Sequence, residues 1–151
     1  VKTGVAIKNG VLAPSVDSPE ALKAALRAAS GIYFPDPVKA TAGIHVMGVL
    51  RQLGLDGELA GRFRVFPNGA SAMKAMADSG EPGLIGCTQI TEILYTPGVT
   101  LVGPLPPAFE LATMYTAAVC TRAREPQAAQ ALIELLVSGD AAPLRKACGF
   151  E

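Results

Sequence analysis

The chain has 151 residues, of which 50% are hydrophobic and 17% are charged. This length and composition suit one globular domain of ordinary size and exclude a disordered chain. The 13 basic residues balance the 13 acidic residues, so no excess of positive charge points to a nucleic-acid partner or to an anionic membrane surface. Glycine and proline interrupt every apolar stretch before the roughly 18 residues that a membrane-spanning helix needs.

The chain begins at Val1 without an initiator methionine, and the next residues are typical of a strand rather than of an export signal. We therefore expect a fragment of a longer protein, whose upstream part carries any export signal. The three cysteines, Cys87, Cys120 and Cys148, lack metal-binding spacing, so we expect partly buried free thiols and no zinc site. A disulfide between Cys87 and Cys148 is the alternative.

Short apolar segments alternate with amphipathic ones, and glycine or proline separates them. This alternation predicts an α/β fold with a largely parallel or mixed sheet. The predicted strands are residues 3–7, 31–34, 63–66, 84–88, 99–103 and 113–120. The predicted helices are a segment that begins at residue 17 or 18, residues 42–53, a segment that follows 67–69, and residues 125–137 and 140–147.

Several residues mark where the predicted helices begin and end. Asp17 or Ser18 can cap the first helix, and Pro19 suits its first turn. We expect this helix to stop at Gly31 and the second helix to stop at Gly54, because glycine commonly terminates helices.

The second and third predicted helices each follow a strand through a short loop. Neighbouring units of this kind bring both helix N-termini to the edge of the sheet where open α/β sheets bind ligands. Unpaired N–H groups and the helix dipole can hold an oxyanion there without Lys or Arg, and the residues at both starts are mostly small. Ordinary helix capping is the competing interpretation, because Thr, Asn and Ser cap helices in many proteins.

Several short segments occur together in an order that is more specific than any one of them. They are YFPDP at 33–37, TAGIH at 41–45, PNGA at 67–70, GCTQITEI at 86–93, VTLVGPLP at 99–106, SGDAA at 138–142 and GFE at 149–151. Over essentially the whole chain, this order resembles the molybdate-binding-protein-like branch of the bacterial ABC-transporter solute receptors. The resemblance implies a periplasmic-binding-protein-like type II fold, in which two α/β lobes joined by two crossing strands enclose an oxyanion.

The resemblance also implies which part of that fold the chain supplies. Residues 17–111 would form the complete second lobe. Residues 1–16 and 112–151 would supply the hinge strands, at 3–7 and 113–120, and the C-terminal part of the first lobe. With the rest of the first lobe missing, the chain would hold half of the ligand site. Its apolar helix at 125–137 would be left bare, so we expect a homodimer.

The ligand contacts that the resemblance implies are mainly backbone N–H groups. One would be the N–H group of Ala42, and a second would lie at Ala70 or Ser71. A third would be a side chain at the end of strand 84–88, where molybdate binders tend to have Tyr and this chain has Thr88 or Gln89. An amide can donate a hydrogen bond as a phenol can, so an oxyanion remains the expected ligand despite this departure. The expected ligand-binding residues are Thr41, Ala42, Gly43, Gly69, Ala70, Ser71, Thr88 and Gln89.

No pattern of catalytic residues stands out. His45 is the single histidine, and we expect it to be solvated or hydrogen-bonded rather than a metal ligand or a general base. The sequence contains no GxSxG motif, and no cysteine has a histidine nearby. We interpret Asp36 as a turn residue and Glu92 as a residue at a helix start. The sequence thus predicts a protein that is not an enzyme and needs no cofactor and no metal.

These observations predict the solute-binding component of an ABC transporter. Its ligand would be a small oxyanion such as molybdate or tungstate, its partner a membrane permease, and its location the periplasm. The alternative is a ligand-sensing regulatory domain, because the fold alone does not separate receptors from sensors.

Overall fold

Five strands form one sheet in the computed structural model, which describes residues 1–150. In chain order they are β1 (Thr3–Lys8), β2 (Gly31–Pro35), β3 (Phe63–Phe66), β4 (Leu84–Gln89) and β5 (Val99–Pro104). Their order across the sheet is β3-β2-β4-β1-β5. β2 runs parallel to β3 and β4, whereas β1 runs antiparallel to β4 and β5. The predicted mixed α/β sheet is therefore confirmed.

Six α-helices occur within residues 1–150. They are α1 (Pro19–Ala28), α2 (Thr41–Gln52), α3 (Gly69–Asp78), α4 (Ile90–Tyr95), α5 (Pro126–Val137) and α6 (Ala142–Ala147). Short 3₁₀ turns at Ala60–Arg62 and Pro107–Phe109 complete the regular structure. None of the helices in this part of the chain has the length and apolar character needed to cross a membrane. The sequence predicted no range for the short helix α4, although Glu92 was placed at a helix start.

The two ends of α1 show which capping predictions are correct. The side chain of Ser18, rather than Asp17, accepts the N–H of Ala21 at 3.1 Å, and Pro19 occupies the first turn as predicted. The predicted stop at Gly31 is wrong, because the helix ends at Ala28. Ala29 is already extended there, with φ −68° and ψ 137°. Gly31 instead begins β2.

The helices cover both faces of the sheet, because alternate residues of each strand point to opposite sides. On one face Val5, Ile32 and Phe34 join the core that contains residues of α1 and α2. On the other face Ala6 and Tyr33 join residues of α3 and α4. This layered packing fixes the N-termini of α2 and α3 near the carboxyl ends of the parallel strands β2 and β3.

The predicted strand at 113–120 is wrong. Its neighbour Ala112 forms one isolated bridge with Lys2, and the N–H of Thr113 donates to the carbonyl of Val1 at 2.8 Å. Residues 114–120 make no strand ladder with any part of residues 1–150. Apolar and β-branched residues alone suggested the strand, but strand formation also needs a neighbouring strand, and here none lies alongside.

The C-terminal helices α5 and α6 contain no buried residue. Four apolar side chains near the end of α5 are more than half exposed: Leu132, Leu135, Leu136 and Val137. The side chain of Arg145 in α6 donates to the carbonyls of Leu136 and Ser138 at 2.7 and 2.8 Å, which ties the two helices together. The apolar face of α5 thus remains uncovered within residues 1–150. Glu151, the last residue of the GFE segment, lies outside the described residues.

Candidate functional site

A pocket of about 200 Å³ lies where the N-termini of α2 and α3 meet the end of β4. This volume is below the roughly 300–1,000 Å³ of pockets that hold drug-sized ligands, so it suits a small solute. Four of the eight residues predicted to bind a ligand line the pocket, namely Thr41, Ala42, Gly69 and Gln89. The other lining residues are Pro35, Ala40, Asn68, Glu92 and Tyr115.

The first turn of α2 offers free hydrogen-bond donors to this pocket. Ala40 precedes the helix, and its side chain makes no capping hydrogen bond. Within residues 1–150 the N–H groups of Thr41, Ala42 and Gly43 have no protein acceptor. Thr41 is exposed, whereas Ala42 is 5% exposed. Free donors at a largely buried helix N-terminus create a favourable position for an anionic group.

The loop before α2 holds this helix start in place. The Asp36 carboxylate accepts the N–H groups of Val38 and Lys39 at 2.7 and 3.0 Å. These two backbone hydrogen bonds lower the pKa of Asp36 below its usual value. Asp36 is therefore a turn residue, as predicted. Gly43 packs so closely against this loop that a Cβ atom would collide with the carbonyl oxygens of Pro35 and Asp36.

The first turn of α3 differs from that of α2, because protein groups accept two of its N–H groups and only that of Gly69 has no acceptor within residues 1–150. The Asn68 side chain accepts the N–H of Ser71 at 2.8 Å. The Glu92 carboxylate accepts the N–H of Ala70 at 3.2 Å and the Thr88 hydroxyl at 2.5 Å. The three predicted contacts Ala70, Ser71 and Thr88 are therefore engaged within the protein, and, like the predicted contact Gly43, they do not line the pocket.

Gly69 makes the approach of Glu92 to α3 possible. A Cβ atom at this position would collide with the Thr88 hydroxyl and with the Glu92 carboxylate. Glycine therefore leaves room for an acidic side chain to act as the N-terminal cap of a neighbouring helix. This arrangement places a carboxylate at the wall of the pocket, next to the free donors of α2.

Gln89 and Tyr115 form the remaining polar wall. Gln89 is 8% exposed, and its amide oxygen accepts a hydrogen bond from the Tyr115 hydroxyl. Its amide nitrogen has no hydrogen-bond partner among residues 1–150. The pocket thus combines backbone donors from α2, an amide donor from β4 and a carboxylate acceptor from α4.

The sequence of the chain matches the family of bacterial extracellular solute-binding proteins over residues 3–151. The chain belongs to this family.

Two solved structures resemble this family member in fold. One is the substrate-binding domain of a putative molybdenum ABC transporter from Clostridium difficile, with a TM-score of 0.60 and 13% identity. The other is the periplasmic molybdate-binding protein of Azotobacter vinelandii, with a TM-score of 0.66 and 17% identity. The two structural matches cover 98% and 99% of this protein, respectively. They cover 62% and 65% of the two neighbouring structures. This similarity confirms the predicted periplasmic-binding-protein-like fold.

A relative with a curated name is the aconitate isomerase of a Pseudomonas species. It is 29% identical to this solute-binding family member over 139 residues. The match covers 91% of this chain and 51% of the isomerase, so the chain spans about half the length of that relative.

Among the residues that line the pocket outside the predicted set, Glu92 and Tyr115 are the two that supply its remaining polar contacts. Glu92 was assigned to a helix start, and its spacing of four residues from Thr88 was the available signal for their contact. Tyr115 lies in the segment wrongly predicted as a strand, and no sequence signal placed it beside Gln89.

The histidine and the cysteines lie outside the pocket. His45 donates from Nε2 to the carbonyl of Phe109 at 2.7 Å, which confirms a hydrogen-bonded helical histidine. All three cysteines are free, so the alternative of a Cys87–Cys148 disulfide is wrong. The predicted partial burial is wrong for Cys120 and Cys148, which are exposed, whereas burial raises the pKa of Cys87 to about 12. Among residues 1–150 no three His, Cys, Asp or Glu side chains are grouped to hold a metal ion.

Proposed function

We propose that this protein is the solute receptor of a bacterial ABC transporter and that the N-terminus of α2 holds an oxyanion group of the solute. The observation that carries this proposal is the set of free N–H groups at Thr41, Ala42 and Gly43 beside the unpaired amide nitrogen of Gln89. A carboxylate or a tetrahedral oxyanion supplies the acceptor oxygens that such donors need.

The free energies of the individual contacts are large enough to bind an anion without a basic residue. Each hydrogen bond to a charged group contributes about 1.5–3 kcal/mol, and a partly buried helix N-terminus adds up to about 2 kcal/mol. Two or three such contacts offset the loss of translational freedom for a ligand of modest affinity. Ala42 is 5% exposed, so water competes little for its N–H group.

Fewer of the expected contacts at α3 are available to a solute in this proposal. Gly69 lines the pocket, but the N–H groups of Ala70 and Ser71 have partners in Glu92 and Asn68. A solute would have to displace these side chains to reach them, and the Thr88 hydroxyl is likewise engaged. We therefore assign the first contacts of the solute to the pocket-lining residues Thr41, Ala42, Gly69 and Gln89, together with the neighbouring free N–H group of Gly43.

The family match supports a role in transport over the alternative of regulatory sensing. We propose a location in the periplasm and a membrane permease as the partner. Residues 17–111 would be one lobe of the receptor, and residues 1–16 and 112–151 would connect it to the other. Molybdate and tungstate remain candidate solutes, since both structural neighbours carry molybdenum or molybdate in their names.

We also propose that the chain self-associates through α5. Leu135 and Val137 are 64% and 67% exposed, and no residue of α5 is buried. A second copy that covers this face would remove an apolar surface from water and give a homodimer.

Isothermal titration calorimetry tests the proposed solute class. The titrants are molybdate, tungstate, sulfate, phosphate, lactate and aconitate. We expect at least one of these acids to bind with 1:1 stoichiometry, and we expect Thr41→Pro to weaken that binding because it removes one free N–H group. Absence of heat from every acid at millimolar concentration, or equal affinity in the variant, would reject the proposal.

A second candidate is an isomerase of an unsaturated organic acid. The relative named aconitate isomerase favours it, together with a carboxylate, Glu92, at the pocket wall. In such a reaction Glu92 would take a proton from a methylene carbon next to the double bond and return it to the far alkene carbon. The double bond would move by one position, so no oxidant or reductant is needed.

Proton NMR separates this candidate from simple binding. Incubation of cis-aconitate with the protein would yield the trans isomer, and Glu92→Gln would abolish the conversion. An unchanged spectrum after prolonged incubation with a solute that binds would reject the isomerase candidate and retain the receptor function.

A further inference from the structure

We propose that Glu92 determines which acids the pocket accepts: it favours a singly charged acid with a neighbouring hydroxyl, such as a hydroxy monocarboxylate, and disfavours fully ionised tetrahedral oxyanions. This inference rests on the proposed function, because it concerns the wall of the same pocket. It names the chemical class of the solute, which the free donors of α2 alone do not specify.

Glu92 is fixed in place by two hydrogen bonds. Its Oε1 atom accepts the N–H of Ala70 at 3.2 Å, and its Oε2 atom accepts the Thr88 hydroxyl at 2.5 Å. Each carboxylate oxygen has two lone pairs, so both retain capacity for a second donor. The side chain is half-buried and lines the pocket. A solute in the pocket therefore meets an immobilised acceptor that can bind a hydroxyl group.

The pocket wall lacks the positive charge that would compensate a bound dianion. Among the described residues that line it, Glu92 is the one charged side chain, and neither Lys nor Arg is present. The α2 dipole offsets only about half of a unit charge. A molybdate dianion would bring two negative charges toward the Glu92 carboxylate without a cation to compensate. A monocarboxylate brings one charge, which it can direct toward α2.

The donors and the acceptor lie on different elements of one small pocket. Thr41 and Ala42 contribute N–H groups from α2, and Gln89 is 8% exposed with an amide nitrogen that has no partner in the described chain. The Gln89 oxygen is already occupied by the Tyr115 hydroxyl, so Gln89 has a donor left to offer. A carboxylate paired with these donors, and a hydroxyl paired with Glu92, would satisfy both sets in a volume of about 200 Å³.

The test compares lactate with propionate, a matched pair that differs by one hydroxyl group, and with molybdate. Calorimetry on the wild-type chain should show lactate binding at least fivefold more tightly than propionate, and molybdate binding more weakly than lactate. In Glu92→Gln the preference for lactate over propionate should shrink toward unity, while the affinity for molybdate rises at least tenfold. The Gln amide can still accept from Ala70, so the local fold should persist.

Two further variants keep the test decisive. Glu81→Gln removes one negative charge from an exposed residue that precedes β4, at the end of that strand opposite the pocket, and should behave as the wild type. Glu92→Asp retains the charge on a shorter side chain, so it should still disfavour molybdate while losing part of the preference for lactate. This pattern would not follow from a purely structural role of Glu92.

The outcomes separate this inference from the function on which it rests. Tight molybdate binding by the wild type, or an unchanged lactate-to-propionate ratio in Glu92→Gln, overturns the role of Glu92 while leaving an acid receptor. Failure of every acid to bind the wild type overturns the proposed function itself. Preferred binding of the triply charged aconitate also contradicts the charge argument and favours the isomerase candidate.

Discussion

The Thr88 hydroxyl donates to the Glu92 carboxylate over 2.5 Å, and the other oxygen of this carboxylate accepts the N–H of Ala70 at 3.2 Å. This contact joins the end of β4, the start of α4 and the first turn of α3. It leaves α2 with three free N–H groups in its first turn, whereas α3 retains only that of Gly69. The difference between the two helix starts is the basis of the predictions that follow.

Gly69→Ala should destabilise the protein, because its Cβ atom would collide with Thr88 and Glu92. We expect a loss of about 1–3 kcal/mol in the free energy of unfolding, the usual cost of overpacking. Urea denaturation measures it. Gly48→Ala is the matched control, since no heavy atom lies within 4 Å of its added Cβ in the interior of α2. That control should gain about 0.5–1 kcal/mol, and an equal response of the two variants would contradict the described contact.

Thr41→Pro should weaken solute binding by about 10- to 100-fold, because one hydrogen bond to a charged group contributes about 1.5–3 kcal/mol. The backbone can accept this proline, since Ala40 is extended at φ −100° and ψ 130° and Thr41 is the first helical residue. Thr41→Val retains the N–H group and should lose less than about threefold. Calorimetry with the best-binding acid compares the two. A larger loss for Thr41→Val would assign the interaction to the hydroxyl instead.

Thiol labelling should distinguish Cys87 from the other two cysteines. Burial raises the pKa of Cys87 to about 12, so at pH 8 its thiol remains protonated and shielded, whereas Cys120 and Cys148 are exposed. Mass spectrometry after iodoacetamide treatment of the folded protein should show two labels, and a third should appear in denaturant. Rapid labelling of Cys87 in the folded state would mean that the sheet opens readily at β4.

Leu136→Lys should convert a dimer into a monomer if α5 is the self-association surface. Leu136 is 51% exposed on the apolar face of this helix, and a lysine there would place a charge in the contact. Gln127→Lys introduces the same residue at an exposed polar position of α5 and should leave the dimer intact. Light scattering across a concentration range reports the mass. A wild-type monomer at all concentrations would refute self-association.

The sequence predicted the strands of the sheet well, because each is a short apolar run bounded by glycine, proline or polar residues. The predicted strand at residues 63–66 agrees with β3 at both ends, and the other four sheet strands differ by a single residue at the C-terminal end. The stop of α2 at Gly54 is also confirmed by its positive φ of 69°. These features depend on local chemistry that a short segment carries by itself.

The parts that failed depend on contacts between distant segments. Residues 113–120 have strand-like composition, but no neighbouring strand pairs with them in the described chain. The capping of α3 by Glu92 joins residues that are 22 positions apart, and Tyr115 meets Gln89 across 26 positions. Neither contact has a local signal, so the sequence located the pocket but did not predict that protein groups occupy most of one of its two helix starts.

Nuclear magnetic resonance of the ¹⁵N-labelled protein tests the central claim most directly, since it observes each backbone N–H group separately and detects weak binding. On addition of the best-binding acid, we predict that the amide signals of Thr41, Ala42 and Gly43 and the side-chain amide of Gln89 shift most. The signal of Ser71, whose N–H is already held by Asn68 at 2.8 Å, should shift less. Saturable shifts centred on α3 or on another surface, with no change at Thr41 to Gly43, would contradict the account.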